Sequence, residues 1–151
     1  MIRVQREDFD VGAEITALTR DNRRIGGVVS FLGLVRDIAG GETITSMTLD
    51  HYPGMTEKKL AEIEAEALDR WKLDASLIIH RYGRLDPGDR IVLVVTASSH
   101  RQAAFEACEF LVDWLKTKAP FWKLEETGAG PLWVDTRDSD DAAAERWSRH
   151  G

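Results

Sequence analysis

The stretch ASLIIHRYGRLDPGDRIVLVVTAS, Ala75 to Ser98, holds two apolar, β-branched runs, ASLIIHRYG and RIVLVVTAS, on either side of RLDPGD. Asp-Pro-Gly is turn chemistry: proline presets φ near −65° and glycine accepts the positive φ that closes the turn. The two runs therefore predict an antiparallel hairpin. The turn is too short for the helical crossover that a parallel pair needs, so the hairpin sets an expectation of an α/β (α+β) fold with a largely antiparallel sheet.

Working outward, SSHRQAAFEACEFLVDWLK follows the second strand. Ser99 with Gln102 three residues on predicts a capping box that opens a helix, placing His100 and Arg101 in its first turn. Cations are disfavoured beside the unpaired N–H groups and positive dipole end of a helix start. A solvated surface pair and an anion-binding site both account for them at this point. Ala104, Cys108, Leu111 and Leu115 share one face of this helix, so Cys108 is expected to be a small core hydrophobe rather than a nucleophile. The helix runs into LKTKAPFWK, Leu115 to Lys123, where three lysines surround an aromatic pair. Lys116 and Lys118 fall in the last turn, where cations complement the dipole. Lys123 lies in a short strand, FWKLEE, opposite Trp122 and Leu124. Aromatic neighbours would shield the stems of Lys116 and Lys123 and favour proton transfer by an amine, although simple solvation explains them as well.

On the N-terminal side, IRVQ reads as a short strand, and Asp10 can cap a helix from Val11 to about Arg20 with Ile15 and Leu18 inward. GGVVSFLGLVR, Gly26 to Arg36, predicts a central strand in which Gly33 marks a bulge or a close backbone approach. DIAGGET predicts a polar loop. ITSMTLDHY predicts a half-buried strand that sets Ile44, Ser46 and Thr48 against Thr45, Met47 and Leu49. PGM interrupts it, and Thr56 to Trp71 carries Leu60, Ile63, Ala67 and Trp71 at helical spacing.

A chain of 151 residues with no repeat or linker is expected to form one domain, residues 1–151. Lys plus Arg is 20 and Asp plus Glu is 26, a net charge of −6, which opposes a nucleic-acid partner. The N-terminus lacks the apolar core of a signal peptide and no run is long enough to span a membrane, so a cytoplasmic protein is expected. A single cysteine excludes an intramolecular disulfide and a multi-cysteine zinc site; no metal or cofactor is expected. Neither G-x-G-x-x-G nor a Walker A pattern is present, which disfavours a nucleotide-binding regulatory domain.

Four segments, FLGLVRD (Phe31–Asp37), HYPGM (His51–Met55), SSHRQAAFEAC (Ser98–Cys108) and LKTKAPFWK (Leu115–Lys123), together resemble the large, catalytic subunit family of molybdopterin synthase, in order and at similar spacing. The resemblance runs from about Val4 to Trp147; Asp50 stands where the family more often has Glu. It implies a sulfurtransferase that converts cyclic pyranopterin monophosphate to molybdopterin. Two sulfurs would arrive as a C-terminal Gly-Gly thiocarboxylate on a small ubiquitin-like carrier subunit. It also implies a homodimer within a heterotetramer. Lys116 and Lys123 carry over as catalytic residues, and Arg36, His100, Arg101, Phe31 and Arg137 as the pterin-binding set. A module that only binds a ubiquitin-like protein is the alternative, but it would have no need of so many clustered cations.

Overall fold

The computed structural model describes residues 1–39, 41–127, 130–134 and 147. Among these residues nine strands and three helices follow one another as β1 (Ile2–Gln5), α1 (Val11–Thr19), β2 (Gly27–Leu34), β3 (Ile38–Ala39), β4 (Glu42–His51), α2 (Met55–Arg70), β5 (Ala75–Arg81), β6 (Gly83–Leu85), β7 (Arg90–Ser98), α3 (Arg101–Thr117), β8 (Phe121–Thr127) and β9 (Gly130–Val134). They build two sheets. The first has the order β1-β5-β7-β2; the second has β3-β4-β8-β9, with β6 also paired to β4. Only β1 and β5 run parallel among these pairs. The fold is α/β with predominantly antiparallel sheets, as the hairpin implies.

β5 and β7 pair antiparallel from Ala75↔Ala97 to His80↔Val92. The turn closes through the Asp89 N–H donating to the Asp86 carbonyl at 2.9 Å, with Gly88 at φ +90°. One feature was not legible: Gly83–Leu85 leaves the hairpin to pair with β4. Gly83, at φ +90°, makes this departure possible. Leu85 is thereby buried with Val35, Met47 and Leu49 in a core that joins the two sheets.

The first sheet is covered on both faces, which is why β5 and β7 are near-continuous apolar runs. Leu77, Ile79, Leu93 and Val95 pack with Phe9, Val11, Ile15 and Leu18 beneath α1. Ile78, Val92 and Val94 pack with Ile63, Ala67, Cys108 and Leu111 from α2 and α3. Asp10 caps α1, its carboxylate accepting from the Ala13 N–H at 2.9 Å.

Four expectations are corrected. β2 is an edge strand, not a central one, because β7 alone pairs with it among the described residues. Gly33 does mark both a register shift and a close approach; a Cβ there would lie 2.7 Å from Val92 Cγ1. Within DIAGGET, Ile38 and Ala39 form a two-residue strand against Thr43 and Glu42. The alternation in β4 reverses between Ser46 and Met47: Ile44 and Ser46 are buried, then Met47 and Leu49. A bulge against β8 between Ile44 and Ser46 resets the inward face. Finally, the α3 N-cap is His100, without a side-chain cap bond, and Arg101 is the first helical residue. The Ser99 hydroxyl turns instead to Asp74 at 3.4 Å, and Gln102 donates to Glu106.

Candidate active site

Antiparallel pairing of β2 with β7 fixes where the cations lie. Leu34 is opposite Arg90 and Gly27 is opposite Ser98, so Arg36 stands at the β7 start while His100 and Arg101 follow its end. α3 runs back over the sheet, and fifteen residues at about 1.5 Å each place Lys116 roughly 22 Å along the axis from Arg101. The cations expected to share one pocket therefore form two groups within one chain.

The first group gathers where the sheets meet. Lys116 lies in the last turn of α3, and its charge acts on His80 near the end of β5. His80 stacks on Phe121 with ring centroids 3.7 Å apart and planes at 15°. Phe121 opens β8, and Lys123 follows two residues later on the same face. Lys123 is paired across the sheet with Leu49, which packs with Val35, the residue before Arg36. Glu125, next on that face, is buried, and its carboxylate lies 3.9 Å from Lys123 Nζ. Lys116 and Lys123 thus flank one corner with an aromatic floor, and Arg36 follows Val35 at its edge. Lys116 stands exposed rather than shielded by that floor, as do Lys118 and Arg36.

The second group is at the far end. His100 and Arg101 are exposed and line, with Gln102, Phe105 and Glu106, a shallow depression of ≈ 500 Å³ at the start of α3. The first turn of that helix holds no acidic residue, so its N–H groups and Arg101 together offer positive potential. Gly27 lies directly beneath; a Cβ on it would be 3.5 Å from Arg101 Cα. Phe31, midway along β2, is half-buried and packs against the core under α3, between the two groups. Arg137 lies outside the described residues.

Residue types alone did not single out His80, His51 and Glu125. His80 is buried, and desolvation first of all, then the charges of Lys116 and His51, push its imidazole down to about 4 despite the Arg81 carbonyl accepting from Nδ1 at 2.8 Å. Its ring is neutral in the physiological range, a flat partner for Phe121 rather than a third cation. The unfolded chain binds this proton more readily, so His80 opposes folding increasingly as pH falls from about 6.5 to about 4. The only available signal was His80 inside an otherwise apolar strand, and it could not reveal which ring would cover it.

Cys108 is buried, and burial raises its thiol to about 11. A thiol so held is protonated at neutral pH and is a poor nucleophile or sulfur carrier. Cys108→Ala is expected to retain the sulfur transfer that the family resemblance implies and to lose on the order of 1 kcal/mol of stability. Turnover and thermal melting of the variant test this; a folded but inactive protein would give the thiol a part in the chemistry. Among the described residues no cluster of His, Cys, Asp and Glu is arranged to hold a metal ion, and no helix is long and apolar enough to cross a membrane.

A Pseudomonas aeruginosa protein named molybdopterin synthase catalytic subunit is 58% identical over 146 residues, covering 97% of each chain. Among solved structures, the molybdopterin biosynthesis MoaE protein from Burkholderia ambifaria superposes with a TM-score of 0.84 at 52% identity, covering 98% of this chain and 97% of its own. The crystal structure of molybdopterin synthase from Staphylococcus aureus gives 0.80 at 31% identity, covering 87% of this chain and 95% of that one. The family model described as MoaE protein matches residues 4–118, a span that runs from within β1 to the end of α3 and holds Arg36, His100, Arg101 and Lys116. With strands, helices and cations in that order, this chain belongs to the MoaE protein family.

Proposed function

We infer that this chain is the catalytic subunit of molybdopterin synthase, a sulfurtransferase of molybdenum cofactor biosynthesis. It takes sulfur from a small carrier subunit ending in a Gly-Gly thiocarboxylate and inserts two atoms into cyclic pyranopterin monophosphate. It works as one catalytic domain in the cytoplasm, as a homodimer carrying a small subunit at each end. The observation that carries the reading is the corner of Lys116, Lys123 and Arg36 over His80 and Phe121 in a member of this family. Lysines there suit both an anionic thiocarboxylate and a cyclic phosphate. They serve either as acid and base in sulfur addition or as electrostatic stabilisers of charge that develops.

The separation of the two cationic groups supports a pocket shared between two copies. Among the described residues β2 is an edge strand of eight residues bearing exposed Val28, Leu32 and Leu34. Such an edge is a template for another strand. If it pairs antiparallel with its own copy about a two-fold axis near its middle, Gly27 of one chain meets Leu34 of the other. His100 and Arg101 of that chain, which sit over Gly27, then stand beside Arg36 of its partner. Two complete sites result, each with the phosphate-binding cations of one copy facing the lysines of the other.

Reconstitution with a thiocarboxylated carrier and the cyclic precursor tests the function; dithiolene product is expected, and its absence contradicts the reading. Arg101→Ala is expected to weaken precursor binding about tenfold or more while leaving carrier binding nearly unchanged. A guanidinium grips phosphate in two places, whereas a protein partner spreads over a wider surface. Titration of both ligands decides, and equal losses would contradict the division. A module that merely binds a ubiquitin-like protein would bind the carrier and ignore the pterin.

A further inference from the structure

The HYPGM turn contributes a residue that the cationic pocket leaves unused. His51 ends β4 opposite Phe121, diagonal to Lys123 on the same sheet face. Its ring lies 4.4 Å from Tyr82 and 6.0 Å from Phe121. Behind it, Thr56 at the start of α2 is fully buried. The Thr56 hydroxyl donates its one proton to the Tyr52 carbonyl at 2.8 Å and accepts the Tyr52 N–H at 3.1 Å. Its contact with His51 Nδ1, also 3.1 Å, must then have the imidazole as donor. Nδ1 carries the hydrogen, and in the neutral ring Nε2 holds the free lone pair. A buried threonine and a turn peptide thus fix the tautomer of a half-buried histidine. That histidine also lines a cleft of ≈ 520 Å³, with Arg6, Asp50, Tyr82 and Arg84 among its walls.

We propose that His51, through Nε2, is the general base for the water that releases the carrier after its sulfur has joined the pterin. The assignment rests on the sulfur-transfer reading above. Once the thiocarboxylate sulfur is bonded to a pterin carbon, the carrier remains attached through a carbonyl–sulfur bond, and water must cleave it. The water oxygen bonds to the glycyl carbonyl carbon while one water proton passes to Nε2. The carbon–sulfur bond breaks with its electron pair left on the pterin-bound sulfur as thiolate. The glycyl acid loses its remaining proton to solvent, the imidazolium loses its own through the open cleft, and no oxidant or reductant is consumed.

The surroundings suit this role. Arg6, whose guanidinium lies 4.9 Å above the Tyr82 ring, and Arg84 give the cleft cations for the glycyl carboxylate that forms. The titratable and charged groups around His51 come from every neighbouring element. They are Asp50 beside it on β4, Glu57 at the α2 start, Tyr82, Arg6 and Arg84 across the cleft, Lys123 on β8, and His80 with Lys116 behind Phe121. Lys123 lies diagonal to the imidazole across β4 and β8, so in this assignment the lysines hold the reacting anions while the imidazole takes the proton.

His51→Asn separates the base from the scaffold, since an asparagine amide can still donate to Thr56 but has nothing at the Nε2 position. His51→Gln provides a second, non-basic variant. With the dimer, thiocarboxylated carrier and cyclic precursor, each variant is expected to lose about 10²-fold in kcat with KM for the precursor unchanged. The acid limb of the pH–kcat profile should disappear, and a covalent carrier–pterin adduct should accumulate in the mass spectrum of the quenched reaction. Thermal melting identifies a folded variant, and either one suffices. A folded variant with unchanged kcat, an unchanged acid limb or no adduct overturns the assignment. Absence of product from the unsubstituted dimer would instead overturn the sulfur-transfer reading, and this assignment with it.

Discussion

Lys116→Ala is expected to lower dithiolene formation by about 10²- to 10⁴-fold, the range associated with losing a general acid–base group, with the protein still folded and dimeric. The contrast comes from where Lys116 sits. It is exposed in the last turn of α3, a position that contributes only tenths of a kcal/mol to stability through the helix dipole. Yet its charge is felt by buried His80, whose ring lies on the Phe121 floor two residues from Lys123. A residue with so little structural role and so central a place should separate activity from folding. The test is turnover with thiocarboxylated carrier beside the thermal melting curve of the same preparation. Turnover near that of the unsubstituted chain would remove Lys116 from the mechanism.

Removing the two terminal glycines of the carrier is expected to abolish sulfur insertion and to weaken carrier binding. A site that keeps water from a thiocarboxylate until the right moment admits only a thin backbone, which glycine supplies without steric cost. Backbone hydrogen bonds along the tail, made at a sheet edge, would give affinity, with Lys116 and Lys123 meeting the terminal charge. Binding and activity of intact and truncated carriers are compared. Insertion supported by the truncated carrier, or a comparable rate with free sulfide and no carrier, would contradict this mode of delivery.

Much of the framework was legible because it rests on local rules. The Asp-Pro-Gly turn, the Asp10 cap, the helical spacing of Leu60, Ile63 and Ala67, and the burial of Cys108 all appear as expected. The errors share a cause, competition from distant residues. Ser99 would cap α3 by propensity, but Asp74 takes its hydroxyl. A run as apolar as β2 suggests a centre strand, but an edge can be equally apolar when its surface faces another chain. β4 cannot keep one alternation because its pairing with β8 contains a bulge. The site shows the same division. Residue types at helix and strand ends left simple solvation open for Lys116, Lys123, His100 and Arg101, and the family resemblance joined them with Arg36 into one set. Their separation by the length of α3 followed only from strand register. The roles of His51, His80 and Glu125 depend on ring stacking and burial that no spacing encodes.

The shared pocket is the claim on which the rest depends, and it is tested most directly by mixing two impaired chains, Lys116→Ala and Arg101→Ala, after dissociation and reassembly, with the precursor held well below saturation so that the binding loss in Arg101→Ala is read as a loss of rate. In a mixed dimer one site carries both substitutions and the other carries neither. Random pairing makes half the dimers mixed, so about a quarter of the unsubstituted rate should return if each site draws on both copies. A mixture no more active than its two components measured separately would place the whole pocket within one chain and contradict the account.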